Sequence, residues 1–415
     1  MRRSVTIRRH VGSIAGYGLS VGIAAIVTLF AIPIIIAHSG AHAWASIALG
    51  QAVGTGCAVL IGFGWGTTGP TQVAMAKGLA QIQIYTDSLQ VRVLLAIPGL
   101  IIAVGLAFLL ANSYRNAASI TAAAFAMSGL LAGWFFTGSA RPYSFLLLDT
   151  APRVVGTVTG AIALLLGSSL IVFPMMQLLG MTLGVILSTV KVGGWSRSRW
   201  NRLSGRSVWL LLRGQSHGMI IAGVSAAYIT VPISIVAVVA PAALPVYALA
   251  DKILRFSTTA FAPVVQFLQG WVPGVDDPAV SRRIKLAFTG GLALTLTAGA
   301  VFTVGLPWTA SLLSAGEIVP EFGLSLAFGL MLVFLVMAQV TGLVCLLALK
   351  RAQKLAMFTS IGVVVGIPAV FIGVSLFGAE GAAWALVVAE SVALAPQVVL
   401  LACVMRKRTR GTLKP

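Results

Sequence analysis

Long, unbroken apolar runs dominate the hydrophobic pattern of this chain. Between His10 and Lys77 there is no Asp, Glu, Lys or Arg, and a helix needs only about 20 apolar residues to cross a membrane. That stretch therefore predicts two membrane-spanning helices that form a hairpin. The runs are also far longer than the strands of a membrane β-barrel, which span about 9–11 residues each. A helical membrane protein is the fold class that follows.

Dividing the apolar runs at charged residues, Gly and Pro clusters and polar turns predicts twelve spans. The first six lie near 12–37, 43–66, 89–111, 117–140, 143–167 and 169–190, and the second six lie near 214–238, 243–269, 285–312, 321–349, 354–376 and 379–405. The predicted fold is therefore all-α and integral to the membrane, with about twelve transmembrane helices.

The distribution of charge predicts the orientation of these helices. Only 9% of the 415 residues are charged, and the net charge is +19, whereas a soluble chain has roughly 25% charged residues. Of the 28 Lys and Arg, 25 fall in the termini or in alternate connections when Arg92 is counted with the connection before the third span and Arg153 with the one before the fifth; the exceptions are Arg115, Lys252 and Arg255. The positive-inside rule then predicts cytoplasmic N- and C-termini, and it explains the basic charge without a nucleic-acid partner.

A long basic connection divides the spans into two groups of six. The predicted organisation is an N-terminal six-helix bundle at 1–190, a basic cytoplasmic linker at 191–213, a C-terminal six-helix bundle at 214–405 and a basic cytoplasmic tail at 406–415. Two equal groups of spans are typical of transporters built from repeated bundles. The sequence thus predicts a protein that moves a molecule across the bilayer.

The eighth span contains three charged residues, which are costly at membrane depth and therefore candidates for function. Asp251 and Arg255 are four residues apart, so they share a helix face and are expected to pair. Arg255 lies about 16 Å along the helix from its outer end, near the middle of a hydrocarbon core about 30 Å thick. A guanidinium grips phosphate with two parallel hydrogen bonds, so Arg255 is the leading substrate-binding candidate, with Asp251 as its resting partner and Lys252 beside it. A purely structural Asp251–Arg255 pair is the alternative.

Three further residues complete the predicted substrate site. Glu390 lies at comparable depth in the last span, and Arg213 opens the seventh span at the cytoplasmic edge, where it is equally an ordinary anchor. Asp149 and Arg153 form another pair with a spacing of four residues. The binding hypothesis takes Arg153 from this pair, and the depth of both residues is left open.

The sequence shows no sign of catalytic or metal chemistry. It has no GxxxxGK[ST] loop, no GxSxG elbow and no HExxH helix. Cys57, Cys345 and Cys403 are far apart, without metal-ligand spacing. We therefore expect no ATPase activity, no other enzyme activity, no cofactor and no metal site.

Three segments resemble a known family of exporters. They are WFFTGSARPYSFLLLDTAPRVVGTVTGAIALLL at 134–166, LPVYALADKILRF at 244–256 with APVVQFLQGWVP at 262–273, and GAEGAAWALVVAES at 378–391. They resemble the fourth-to-fifth helix junction, the eighth helix and the twelfth helix of the Wzx-like polysaccharide flippases. This family lies within the multidrug and oligosaccharidyl-lipid exporter (MATE/MOP-like) superfamily, and the resemblance extends over nearly the whole chain.

The resemblance implies two six-helix bundles in a V around a central cavity. It implies transport of an undecaprenyl-pyrophosphate-linked oligosaccharide from the inner to the outer leaflet of the bacterial plasma membrane, with the phospholipid bilayer and polysaccharide polymerase machinery as partners. Arg255 matches the basic cavity residues of the family, and Arg153 matches the Arg of its fifth-helix pattern.

Three alternatives stay open at this point. A MATE-type multidrug antiporter of the same fold needs a carboxylate for cation exchange. The first four predicted spans contain no Asp or Glu, but Asp251 and Glu390 keep this alternative open. An enzyme acting on the same lipid carrier needs a sizeable outer loop, and the predicted outer loops are a few residues long. A structural scaffold does not explain charges at membrane depth.

Overall fold

The computed structural model describes residues 2–193, 205–272 and 279–409, which are almost entirely helical, with no strand among them. The α-helices are α1 (Arg2–Ser39), α2 (Ala41–Gly62), α3 (Trp65–Met75), α4 (Leu79–Leu110), α5 (Arg115–Met127), α6 (Gly133–Gly138), α7 (Pro142–Ser144), α8 (Ala151–Leu165), α9 (Val172–Val192), α10 (Gly205–Val239), α11 (Leu244–Ala260), α12 (Ala262–Trp271), α13 (Val280–Leu313), α14 (Phe322–Gln339) and α15 (Ala352–Thr409). Two π-helical segments, Phe145–Thr150 and Val340–Leu346, precede α8 and follow α14. The predicted all-α membrane fold is confirmed.

Ten helical segments in the described ranges are long and apolar enough to cross a membrane. The difference from twelve has two sources. The longest segment, Gln353–Arg408, contains two of the predicted spans, and the predicted eighth span consists of α11 and α12, each shorter than one crossing. The chain is a multi-span membrane protein, while the count of twelve and the cytoplasmic position of both termini stay predictions.

The helices form two compact units, Met1–Ser234 and Ile235–Pro415, so the division falls within α10. In the first unit, α10 is held to α3 by polar contacts: Thr68 donates to Gln215 Oε1, and Gln215 Nε2 lies 3.2 Å from Gln72 Oε1. A Cβ on Gly218 would lie 2.9 Å from the carbonyl oxygen of Gly64, so the backbones touch there. The bundle and linker limits predicted around 191–213 stay a prediction, because 194–204 lie outside the described residues.

Close backbone contact organises the first unit around α2 and α5. A Cβ at Gly50 or Gly54 of α2 would overlap the carbonyl oxygen of Ala118 or Ala122 of α5. Small residues let membrane helices approach closely enough for backbone packing, which replaces the hydrophobic driving force that lipid cannot supply. This glycine face fixes α2 against α5, and α2 also contributes to the cavity described below.

In the second unit, α15 is two helices joined at a kink. Phe377 and Gly378 depart from helical geometry, and Gly378 has φ 59° and ψ −136°, a conformation that favours glycine. The two arms fold back on one another, since a Cβ at Gly362 would lie 2.8 Å from the Ala393 Cβ and one at Gly366 would lie 3.0 Å from the Ala389 Cβ. The kink coincides with the boundary predicted between spans 354–376 and 379–405.

We expect Gly381→Ala to destabilise this hairpin. A Cβ at Gly381 would overlap the backbone carbonyl of Gly373 and lie 2.9 Å from the Phe377 Cβ, and overpacking of this kind costs about 1–3 kcal/mol. The measurement is equilibrium unfolding of the purified protein in mixed micelles by SDS titration. Gly290→Ala in α13 is the matched control, because a Cβ there has open space. Equal stability of the two variants would contradict the close contact across the kink.

Candidate functional site

A cavity of about 540 Å³ lies within the first unit. Its walls come from α2, α3, α4, α6, the π-helical segment 145–150, α8 and α10, and the charged residues among those lining it are Arg92, Asp149 and Arg153. Most other lining residues are apolar, small or aromatic. Three ionisable side chains in a largely apolar wall make this cavity a candidate site, because burying charge is costly unless the charge is paired or bound.

Arg92 is the most buried charged residue at the cavity, with 1% of its surface exposed. Its Nη1 donates to the carbonyl oxygens of Gly129 at 3.0 Å and Leu131 at 3.1 Å, and its Nη2 lies 3.3 Å from Ser88 Oγ. These carbonyls are available because α5 ends at Met127 and a single 3-10 turn, Ser128–Leu130, follows it. The last carbonyls of a helix have no partner within it and carry partial negative charge, which suits a cation.

Two aromatic rings fix the Arg92 side chain from its sides. The guanidinium carbon lies 5.9 Å from the Tyr85 ring centroid and 5.5 Å from the Trp134 ring centroid. Such contacts are attractive and strengthen when water is excluded. Neutral carbonyls and rings hold the group without cancelling its charge, and within the described ranges no carboxylate forms an ion pair with Arg92.

Asp149 and Arg153 form the ion pair that their spacing predicts. Arg153 Nη2 lies 2.8 Å from Asp149 Oδ1, and Arg153 Nε donates to the Asp149 carbonyl oxygen at 3.0 Å. The Asp149 side chain is 3% exposed and that of Arg153 is 28% exposed. The pair sits where the π-helical segment passes into α8, and a Cβ at Gly133 would lie 3.1 Å from Asp149 Oδ2. The glycine thus lets α6 approach the carboxylate.

The charges that line the cavity do not cancel. Two guanidinium groups face one carboxylate, and a guanidinium stays protonated even when it is desolvated. The wall therefore has an excess of one positive charge. In a site of low dielectric this excess favours an anion, and a planar guanidinium is suited to the paired oxygens of a phosphoryl group.

In the second unit, the predicted Asp251–Arg255 pair is confirmed. Arg255 Nε lies 2.7 Å from Asp251 Oδ2 and Nη2 lies 2.8 Å from Oδ1, so both carboxylate oxygens are engaged. The Arg255 side chain is 37% exposed and that of Asp251 is 13% exposed. Lys252, the next residue on α11, is half-buried. A bidentate pair of this kind holds Arg255 in one position at rest.

Arg213 and Glu390 are the two remaining predicted site residues. Arg213 is exposed on α10, which fits an anchor at the membrane edge as well as a binding residue. Glu390 is buried in the second arm of α15. The structure therefore joins Asp149 with Arg153 and Asp251 with Arg255, while substrate binding by any of the six residues stays a prediction.

Arg92 is the residue that sequence reasoning missed. Its assignment to the connection before the third predicted span is wrong, because α4 begins at Leu79 and buries Arg92 in its middle. A signal was present: Tyr85, Ser88 and Arg92 are spaced by three and four residues, so they share one face of a helix. A third span extended towards residue 79 would have placed Tyr85, Ser88 and Arg92 on one face of the same membrane helix.

No protein-family model matches the sequence, and no curated protein matches it. Two solved structures share its fold over most of both chains. The first is a multidrug resistance MATE family transporter of the MOP superfamily in an inward-facing conformation, with 16% identity, a TM-score of 0.66, and coverage of 93% of this chain and 96% of that one. The second is the lipid II flippase MurJ in an inward closed conformation, with 12% identity, a TM-score of 0.67, and coverage of 93% and 87%.

These similarities concern the fold. The chain shares the fold of these two transporters, while the superfamily suggested by the resemblance in the sequence stays a prediction. A multidrug transporter and a lipid flippase match this chain with nearly equal TM-scores, so the fold alone does not distinguish the two functions. The charged residues within each unit are the remaining basis for distinguishing them.

Proposed function

We propose that this protein is a flippase that translocates an undecaprenyl-pyrophosphate-linked oligosaccharide across the bacterial plasma membrane for surface polysaccharide biosynthesis. The observation that supports it best is the cavity of the first unit, in which two arginines face one aspartate. A pyrophosphate-linked lipid has an anionic headgroup and a tail that stays in the bilayer, so an excess of buried guanidinium suits its headgroup. Polysaccharide polymerase machinery is the proposed partner on the receiving side.

A MATE-type multidrug or cation antiporter is the second candidate, and the similarity to the MATE structure favours it. Antiport of a cationic drug requires a carboxylate that is free to exchange a proton or sodium ion with the drug. Asp149 and Asp251 are each held by an arginine at 2.8 Å or less. Either residue would have to break an ion pair before it could bind a cation, so the antiporter depends mainly on the buried Glu390 and is the second candidate.

Arg255 is the proposed headgroup contact of the second unit, and the flippase proposal predicts the effect of Arg255→Ala. We expect leaflet exchange of an undecaprenyl-pyrophosphate-linked oligosaccharide to slow by about 10- to 100-fold, because a charge-assisted hydrogen bond contributes about 1.5–3 kcal/mol. The measurement uses proteoliposomes with a fluorescent oligosaccharide and an impermeant quencher. Arg351→Ala is the matched control, since Arg351 is exposed in the same unit.

The outcomes separate the site from the function. Exchange that requires the protein and is lost in Arg255→Ala, while Arg351→Ala is unaffected, supports both. Exchange that is indifferent to Arg255 keeps the flippase and removes that residue from the site. If wild-type protein does not exchange the lipid but releases protons when a cationic drug is added, the antiporter replaces the flippase.

A further inference from the structure

The guanidinium of Arg92 is only partly used by the protein. A guanidinium has five N–H donors, and the Nη atoms of Arg92 contact three oxygen acceptors. Its Nε is buried and has no hydrogen-bond partner in the described part of the chain. A buried, unsatisfied charged donor costs free energy unless a ligand completes it. Arg92 lines the cavity, where its positive charge acts on any occupant, although Nε itself has no surface open to that space.

The surroundings of Arg92 fix its position before any ligand arrives. Two backbone carbonyls hold one end of the group, and the Tyr85 and Trp134 rings lie beside it. A binding group that is already in place loses little conformational entropy when it binds. Arg92 is therefore suited to be a fixed cation in a binding site.

Arg153 has a different character. Its side chain is partly exposed, lines the same cavity, and is engaged on one side by Asp149. An incoming phosphoryl group has oxygens like those of a carboxylate and at least the same charge, so it competes with Asp149 for the guanidinium. Arg153 is thus a cation that can pass from an internal partner to a ligand.

The size of the cavity limits what it can hold. A volume of about 540 Å³ lies within the range of sites for small molecules, roughly 300–1,000 Å³. It accommodates a phosphoryl or pyrophosphoryl group with part of the first sugar, and it is too small for a whole lipid-linked oligosaccharide. The occupant is therefore the charged junction of such a molecule.

We infer that the cavity of the first unit is a phosphoryl-binding site in which Arg92 is a fixed cation and Arg153 moves from Asp149 to the ligand. The inference rests on the proposed function for the ligand's origin, a lipid pyrophosphate. The same chemistry would also bind free pyrophosphate, so the test includes both. Asp149 occupies Arg153 when the site is empty and keeps the resting charge of the wall low.

The test measures binding to the full chain in nanodiscs of phosphatidylcholine. Undecaprenyl pyrophosphate is added to the discs in one arm and counted by native mass spectrometry, and inorganic pyrophosphate is titrated calorimetrically in the other. We expect Arg92→Gln and Arg153→Gln to weaken binding by about 10- to 100-fold, as the loss of charged hydrogen bonds implies. Arg206→Gln, an exposed residue of the same unit, is the matched control and should leave binding unchanged.

Asp149→Asn gives the sharpest test, because it does not depend on a variant that removes a buried cation and can misfold for that reason. This substitution removes the carboxylate that competes with the ligand for Arg153, so more of the protein has Arg153 free to bind the ligand. The affinity for the ligand should therefore rise, by about tenfold if Arg153 is mostly paired with Asp149 in the empty site. The loss of one negative charge from the wall also favours an anion by itself, so Asp149→Asn/Arg153→Gln is the control: a gain that persists in this double variant would overturn the movement of Arg153 to the ligand. Unchanged or weaker binding by a folded Asp149→Asn protein would overturn the inference, as would wild-type protein that binds neither probe.

Leaflet exchange is measured on the same preparations, so that the site and the proposed function can fail separately. Binding that depends on Arg92 and is strengthened by Asp149→Asn, without any leaflet exchange, keeps the site and rejects the flippase. Exchange by a protein whose binding is indifferent to Arg92, Asp149 and Arg153 rejects the site and keeps the flippase. Binding of the lipid probe alone assigns the site to a membrane-borne headgroup, and binding of both probes assigns it to the phosphoryl group itself.

Discussion

Arg153→Ala is expected to lower the free energy of unfolding by about 3–5 kcal/mol, the usual effect of removing one partner of a buried ion pair. The reason lies in Asp149, whose side chain is 3% exposed and whose Oδ1 is bound to Arg153. Without the guanidinium, the carboxylate must stay ionised in an apolar wall or take up a proton, and both cost free energy. SDS titration in mixed micelles, followed by circular dichroism, measures the change.

The double variant Asp149→Asn/Arg153→Ala separates charge from packing. It removes both charges, so most of the lost stability should return, although the contacts of the long Arg153 side chain stay lost. Arg206→Ala controls for the loss of one exposed cation from the same unit, and such surface changes usually stay within about 0.5 kcal/mol. A single Arg153→Ala variant that unfolds at the same SDS fraction as wild type would show that water already solvates Asp149.

Apolar length and charge spacing predicted most of the fold. The runs that lack charged residues became membrane helices, and the boundary placed between residues 376 and 379 became the kink at Gly378. Spacing also predicted both ion pairs, because residues four apart on a helix are neighbours on its surface and their contact does not require tertiary packing. Asp149–Arg153 and Asp251–Arg255 are therefore local features that sequence alone can specify.

The cavity and the environment of Arg92 were beyond the reach of such local rules. The carbonyl oxygens that hold Arg92 belong to residues 129 and 131, which are 37 and 39 positions away along the chain. These two carbonyl oxygens lack helix partners because α5 ends just before them and a 3-10 turn follows. Local sequence patterns do not specify which buried side chain donates to them. The π-helical segment before α8, which sets the direction of Asp149, is likewise not encoded in hydropathy.

Arg92, Arg153 and Arg255 give this fold a distinct electrostatic character. Asp149 and Asp251 each pair with an arginine within their own unit, and Asp149 Oδ2 has no hydrogen-bond partner in the described part of the chain. Arg92 is held by neutral groups and keeps its full positive charge. Under the proposed function, this excess of positive charge favours an anionic substrate. The membrane potential would then act on the charge of that substrate as it crosses.

An inside-negative membrane potential is expected to drive the lipid headgroup to the positive side. The potential contributes about 2.3 kcal/mol per elementary charge at 100 mV, so a headgroup that crosses with one uncompensated negative charge should reach a leaflet ratio of roughly 50 to 1. A pyrophosphate linkage has two such charges, and export would then need no ATP. A proton or sodium ion that accompanies the headgroup would reduce the ratio in proportion.

The measurement uses proteoliposomes with a potassium gradient and valinomycin, and it compares the final distribution of the lipid between leaflets at 0 and −100 mV. The final distribution does not depend on which way the protein is inserted, because a flippase without an energy source only lets the lipid reach equilibrium. Valinomycin with equal potassium on both sides controls for the ionophore, and protein-free liposomes control for leakage. A leaflet ratio that is the same at both potentials would mean that the headgroup crosses fully neutralised, and the excess positive charge of the cavity would then have to act on binding alone.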